Sequence, residues 1–137
     1  MPFILEVISG NYKYLNIYGD DYETKDGTGE RDYIHVVDLA RAHVAALNYS
    51  NSQYINDSIN IGTGISVSVM DIIKCFKHHL DIDIPYKILQ RRPGDLAKYY
   101  AKNSKAQKLL GWTPEKNLKD MCADSLRWQR AFNHKIN

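Results

Sequence analysis

Long apolar runs are missing from this sequence. No stretch approaches the roughly 20 residues needed to cross a bilayer, and residues 1–10 are too short a segment, without Lys or Arg, for a secretory leader. Cysteine is scarce, with only Cys75 and Cys122 in 137 residues. That excludes a disulfide framework, and because both sit in apolar helical patterns they are expected to be reduced, buried thiols of a cytoplasmic protein. A surplus of charge is also absent: 18 Lys and Arg stand against 16 Asp and Glu, for a net charge of +2. The tightest basic clusters, Arg91-Arg92 and the stretch from Lys102 to Lys108, are too small for a nucleic-acid face or an anionic membrane surface. His35, His43, His78, His79 and His134 fall at no zinc-ligand spacing with the cysteines.

Several catalytic signatures are absent as well. A dinucleotide site needs a glycine-rich turn between a strand and a helix, so that backbone can approach the pyrophosphate. Gly27 and Gly29 precede a charged segment, and Gly62 and Gly64 lack a third glycine. None of the ten tyrosines is followed four residues later by lysine, the spacing that lets an ammonium lower a phenol's pKa. There is no nucleophile elbow, zinc-protease helix or phosphate-binding P-loop.

What is present suits one folded domain, residues 1–137, with 44% hydrophobic and 25% charged residues and no low-complexity block. After the apolar start Met1 to Leu5, residues Phe3 to Ser9 can form a helical turn or two, and Tyr14 to Tyr18 reads as a strand ending at Gly19. A loop dense in Asp and Gly follows. Tyr33 to Val36 reads as a brief strand and Val37 to Tyr49 as a helix, its buried face carrying Leu39, Ala40, His43, Val44 and Leu47. Asn48 to Asp57 is turn-like, and Ser58 to Ile61 alternates as a strand. Ser66 or Ser68 can cap a helix from Val69 to His79 with Ile72, Ile73, Phe76 and Leu80 inward. Pro85 opens a strand, Tyr86 to Leu89, and an extended piece lies around Tyr99-Tyr100. Asn103 or Ser104 caps a helix to Leu110 that Gly111 stops. The last helix runs from Leu118 to Phe132, with Leu118, Cys122, Leu126 and Phe132 on one side. Irregularly mixed short strands and about four helices predict an α+β or small mixed α/β domain without a doubly wound half.

Two segments could bind a ligand. In Asp26-Gly27-Thr28-Gly29-Glu30-Arg31-Asp32, the Arg31 fork matches phosphate oxygens and the glycines allow close approach, although an Arg31–Asp32 ion pair is an alternative. In Arg91-Arg92-Pro93-Gly94-Asp95, guanidinium groups can neutralise a diphosphate while Asp95 accepts from ribose hydroxyls; a solvated surface turn is the other possibility. Tyr18, at a strand end, could stack on a base or belong to the core.

Taken together, these segments resemble UDP-glucose 4-epimerases of the extended short-chain dehydrogenase/reductase family. The likeness rests on Asn16-Ile17-Tyr18-Gly19-Asp20-Asp21-Tyr22, on Asp26-Gly27-Thr28-Gly29, and on Arg31 to Ala40. It continues through Asn60 to Gly64, Arg91 to Asp95, Ala101 to Ala106, Leu110-Gly111-Trp112 and Trp128-Gln129, covering nearly the whole chain. The resemblance implies a C-terminal, substrate-binding portion, without the half that holds NAD and the catalytic Tyr and Lys. It implies that Arg31 and Arg92 bind the UDP diphosphate, Asp95 the ribose, and Tyr18 the uracil, while Tyr99 stands near the sugar and limits its size. The family interconverts UDP-glucose and UDP-galactose by passing a hydride from C4 to NAD and back, commonly as a homodimer. Another nucleotide-sugar enzyme of the same broad family, or a stand-alone nucleotide-sugar-binding module, are the alternative expectations. The apolar opening Met1 to Leu5 is expected to leave a sticky surface where an NAD-binding domain would pack.

Overall fold

In a computed structural model that describes residues 1–52 and 56–136, five helices and five short strands form a mixed α/β domain. The elements are α1 (Pro2–Ile8), β1 (Leu15–Tyr18), β2 (Glu30–Arg31), α2 (Val36–Ser52), β3 (Val67–Ser68), α3 (Val69–Leu80), β4 (Tyr86–Leu89), β5 (Lys98–Tyr99), α4 (Ser104–Leu110) and α5 (Leu118–Ile136). The helical turn or two expected at Phe3 to Ser9 is α1, seven residues long, which brings the helices to five among the described residues.

The strands make two small sheets. β1 and β4 pair in parallel, Leu15 opposite Tyr86 and Tyr18 opposite Leu89. β2 is central in the second, antiparallel to β3 and parallel to β5. Parallel pairs need long crossovers, so β4 and β5 return from far along the chain and carry the Arg91-to-Asp95 loop between them to the ends of β1 and β2.

The main core holds Ile4, Leu5 and Val7 of α1, Leu15 and Ile17 of β1, Ile72, Ile73, Cys75 and Phe76 of α3, and Cys122 and Leu126 of α5. Ser68 starts α3 through a reciprocal capping box: its hydroxyl accepts from the Asp71 amide at 2.9 Å, and the Asp71 carboxylate accepts from the Ser68 amide at 3.1 Å. Gly111 ends α4 in the left-handed conformation, at φ 60°. Both cysteines are buried and free.

The structure corrects the sequence-based expectations in six places. The predicted strand at Tyr33 to Val36 lies earlier, at Glu30–Arg31. Asp32 ends it by turning its carboxylate toward the Thr63, Gly64 and Ala101 amides, and His35 Nδ1 then accepts from the Val37 amide to open α2. Ser58 to Ile61 has no ladder partner among the described residues; Ile59 and Ile61 alternate because they pack against the second core of Ala42, Ala106 and Trp112.

The expected buried face of α2 is largely turned outward, with Val44 57% and Leu47 63% exposed. Asp38 instead sits at 0% exposure, accepting from the Glu115 and Lys116 amides, while Ala42 meets Trp112. A polar anchor, rather than the apolar stripe, sets the rotation of this helix. Residues 53–55 of the stretch expected to be turn-like lie outside the described residues, and α2 extends through Ser52.

The apolar opening is mostly spent inside: Ile4 and Leu5 are core residues, leaving Phe3 exposed. Phe132, expected on the inner side of α5, is exposed and stacks on Trp128 with ring centroids 5.0 Å apart.

Candidate functional site

Local turn chemistry builds this site. In the Asp26-to-Gly29 run, Asp26 Oδ1 accepts from the Thr28 amide at 3.0 Å and its hydroxyl at 2.7 Å, and Asp26 Oδ2 accepts from Ser68 Oγ at 2.5 Å. A Cβ on Gly27 would stand 1.9 Å from the Asp20 carbonyl oxygen, so only glycine allows this loop to close. The run is therefore a strap that ties β2 to the start of α3 and fixes where Arg31 leaves the sheet.

Glu30 is buried beneath that strand, accepting from Ser66 Oγ at 2.5 Å and pairing with Lys98 Nζ at 3.1 Å. The Ser66 hydroxyl, and then Lys98, hold its carboxyl below the usual range. A depressed folded pKa contributes stability above the unfolded value that is lost as pH falls through the folded one. Melting temperature is therefore expected to hold steady down to about pH 5 and to decline below it, with Glu30→Gln flattening part of that decline. An identical acid limb in Glu30→Gln, followed by circular dichroism, would contradict this.

Across from Arg31, Arg92 to Asp95 forms a tight turn. Pro93 and Gly94 occupy its middle, Gly94 at φ 82°, and the Asp95 amide donates back to the Arg92 carbonyl at 3.3 Å. The turn sets Asp95 between two guanidinium groups. Arg92 Nε and Nη2 approach Asp95 Oδ2 at 3.0 and 2.9 Å, and Arg31 Nη2 lies 3.6 Å from Oδ1. Arg31 Nη1 is held by the carbonyl oxygens of Glu30 and Leu96 at 2.8 and 2.9 Å. The alternative of an Arg31–Asp32 pair is not what forms, because Asp32 is used up on backbone amides and Thr63.

These groups rim a cleft of about 420 Å³, which is within the usual size of a small-ligand site. Tyr18 lies in its wall, with the Arg92 guanidinium 4.6 Å from its ring centre. Tyr18 and Asn16 alternate with buried Leu15 and Ile17, so both face away from the core. The far end of the cleft is apolar and aromatic, formed by α1 residues and Tyr12. One end thus carries paired cations around a carboxylate and the other offers ring faces, an arrangement fitted to an anion joined to a planar group.

Arg31, Arg92, Asp95 and Tyr18 therefore come together. Tyr99 does not line the cleft. It pairs with Arg31 across β2 and β5 and is 66% exposed. Asn16, Tyr22, Tyr33 and Val69, to which the sequence assigned no ligand contact, also line the cleft. Asn16 could have been found from the period-two alternation of β1, whereas Tyr33 and Val69 carry no local signal. Tyr22 presents a buried hydroxyl without a hydrogen-bond partner among the described residues.

Among the described residues no glycine-rich turn joins a strand to a helix, and the Thr63 and Gly64 amides donate to Asp32 Oδ1 and Oδ2 at 2.9 and 3.0 Å. The described residues hold no cluster of His, Cys, Asp and Glu able to bind a metal, and none of their helices is long and apolar enough to cross a membrane.

The family profile described as GDP-mannose 4,6 dehydratase matches residues 1–125. The UDP-glucose 4-epimerase of Bacillus subtilis is 46% identical over 131 residues, covering 96% of this chain and 39% of that protein. Among solved structures, the UDP-glucose 4-epimerase of Stenotrophomonas maltophila with bound NAD and formylated UDP-arabinopyranose matches with a TM-score of 0.94. It is 42% identical, over 98% of this chain and 40% of that one. The Bifidobacterium longum enzyme in complex with NAD+ and UDP gives a TM-score of 0.84 at 47% identity, over 95% of this chain and 38% of that one. The chain thus spans 38–40% of the length of these relatives.

Proposed function

Because the chain belongs to the family described as GDP-mannose 4,6 dehydratase, we propose that it is the nucleotide-sugar-binding part of a UDP-glucose 4-epimerase, interconverting UDP-glucose and UDP-galactose in the complete enzyme. The observation that carries this reading is the convergence of Arg31, Arg92, Asp95 and Tyr18 on one cleft. Arg31 and Arg92 neutralise the diphosphate, Asp95 accepts from the ribose hydroxyls, and Tyr18 lies against uracil. Tyr99 lies outside the cleft but beside Arg31 on β5, and limits the size of a sugar that extends past the arginines. The hydride chemistry is supplied by NAD when bound to another domain, along with a tyrosine and lysine that this chain does not carry. What these residues contribute is an anchor: a diphosphate held at two guanidiniums leaves the hexose free to present either face.

The partners proposed are therefore UDP-glucose and UDP-galactose, the NAD-binding domain, and a second copy in a homodimer of the complete protein. The outward apolar residues of α2, Val36, Val37, Val44 and Leu47, offer a face for such packing. Two free buried thiols suit the cytoplasm.

Calorimetric titration of the chain with UDP-glucose, UDP-galactose and UDP-glucuronic acid tests the reading. The two neutral hexoses are expected to bind alike, at millimolar affinity or better, and each to be displaced by UDP. Preference for the glucuronic acid would point to a different sugar specificity, and no binding of any of the three would sink the proposal.

A further inference from the structure

We propose that Asp95 is the specificity gate of this site, a carboxylate that masks the diphosphate-binding arginines until a ligand with ribose hydroxyls releases them; this rests on the nucleotide-sugar reading above. In the structure the Arg92 fork is already occupied. Both its Nε and its Nη2 are spent on Asp95 Oδ2, at 3.0 and 2.9 Å, and Arg31 Nη2 is drawn to Oδ1 at 3.6 Å. Arg92 has no other ionic partner among the described residues, and it lies over the Tyr18 ring. The same contact thus neutralises a guanidinium and covers the aromatic face that a base would use.

The pair is poorly placed to serve stability. Arg92 is 61% exposed and the pair closes a surface turn, where ion pairs contribute little. Its consequence lies in binding. A bare anion that approaches Arg92 has to displace Asp95, leaving a carboxylate beside the incoming negative charge with only the more distant Arg31, at 3.6 Å, to compensate it. A nucleoside diphosphate brings hydroxyl donors with it, so Asp95 exchanges a guanidinium for a diol and the repulsion is offset. The gate therefore raises selectivity for nucleotides by penalising phosphate compounds without a sugar, rather than by tightening the nucleotide itself.

The test compares inorganic pyrophosphate with UDP on the wild-type chain and on Asp95→Asn, which removes the charge at nearly constant shape, with Asp95→Ala as a second variant. Titrations are run without divalent cations at fixed ionic strength. Pyrophosphate is expected to bind Asp95→Asn about tenfold more tightly than wild type, while UDP gains less or weakens, so the preference for UDP collapses. Melting temperatures of the variants are expected within about 2 °C of wild type. If pyrophosphate binds both variants no more tightly than wild type, including the case where it binds none of the three, the gate is overturned whatever UDP does. Failure of wild type to bind UDP, with pyrophosphate still tightened by Asp95→Asn, would instead overturn the nucleotide-sugar reading and leave the masking pair standing.

Discussion

Asp38→Ala is expected to destabilise the domain by about 3–5 kcal/mol in chemical denaturation. The Asp38 side chain is fully buried, and its Oδ2 accepts from the backbone amides of Glu115 and Lys116 at 3.1 and 2.8 Å while Oδ1 accepts from Arg41 at 3.1 Å. Truncation strands two amides and a guanidinium whose partner is otherwise the exposed Glu115, and each hydrogen bond to a charged group is worth about 1.5–3 kcal/mol. Against a total stability of about 5–15 kcal/mol for such a domain, the loss is large. Asp38→Asn keeps one acceptor oxygen and should fall between. The damage is expected at the second core, because Trp112 Nε1 donates to the Asp38 carbonyl at 3.0 Å and the connection from α4 to α5 folds over this point. A loss below about 1 kcal/mol for Asp38→Ala would mean that those amides find water and that the anchor does not set the rotation of α2.

Arg31→Ala is expected to lower UDP affinity about a hundredfold, since charge-assisted hydrogen bonds to an anion are each worth about 1.5–3 kcal/mol. Arg31 is the pre-set member of the arginine pair: two carbonyl oxygens hold Nη1, leaving the rest of the fork directed at Asp95 and the cleft. Arg92 is more exposed and is held over the Tyr18 ring by Asp95 alone among the described carboxylates. Arg31→Lys should recover little, because an ammonium cannot keep the Leu96 carbonyl and a phosphate in the same geometry. Full recovery by lysine, read by calorimetry, would reduce Arg31 to a source of charge.

Much of this was legible in the sequence where local chemistry decides the outcome. Ser68 ahead of the stripe of Ile72, Ile73 and Phe76, Pro85 at the head of a strand, Pro93-Gly94 between charges and Gly111 after Leu110 act through their own neighbours, and the structure shows α3, β4, the turn and the end of α4 where those signals lie. The misread elements depend on distant partners. β2 ends where Asp32 finds the Gly62-to-Gly64 turn and Ala101, and the rotation of α2 is set by Asp38 reaching residues more than seventy positions later. No periodicity encodes either contact. Within the candidate site, the charged residues stood out because guanidinium beside glycine is chemically conspicuous, whereas Tyr33 and Val69 join the cleft only through the way β2 and α3 pack.

The central claim is that a nucleoside diphosphate sits between Arg31, Arg92 and Asp95 with its base toward Tyr18. The most direct measurement is a ¹H–¹⁵N NMR titration of the chain with UDP. Saturable shifts confined to the amides around Tyr18, Arg31 and Arg92 to Asp95 and to the guanidinium Nε–H of Arg92 are the expected result. Shifts centred elsewhere, or none at millimolar UDP, would contradict it.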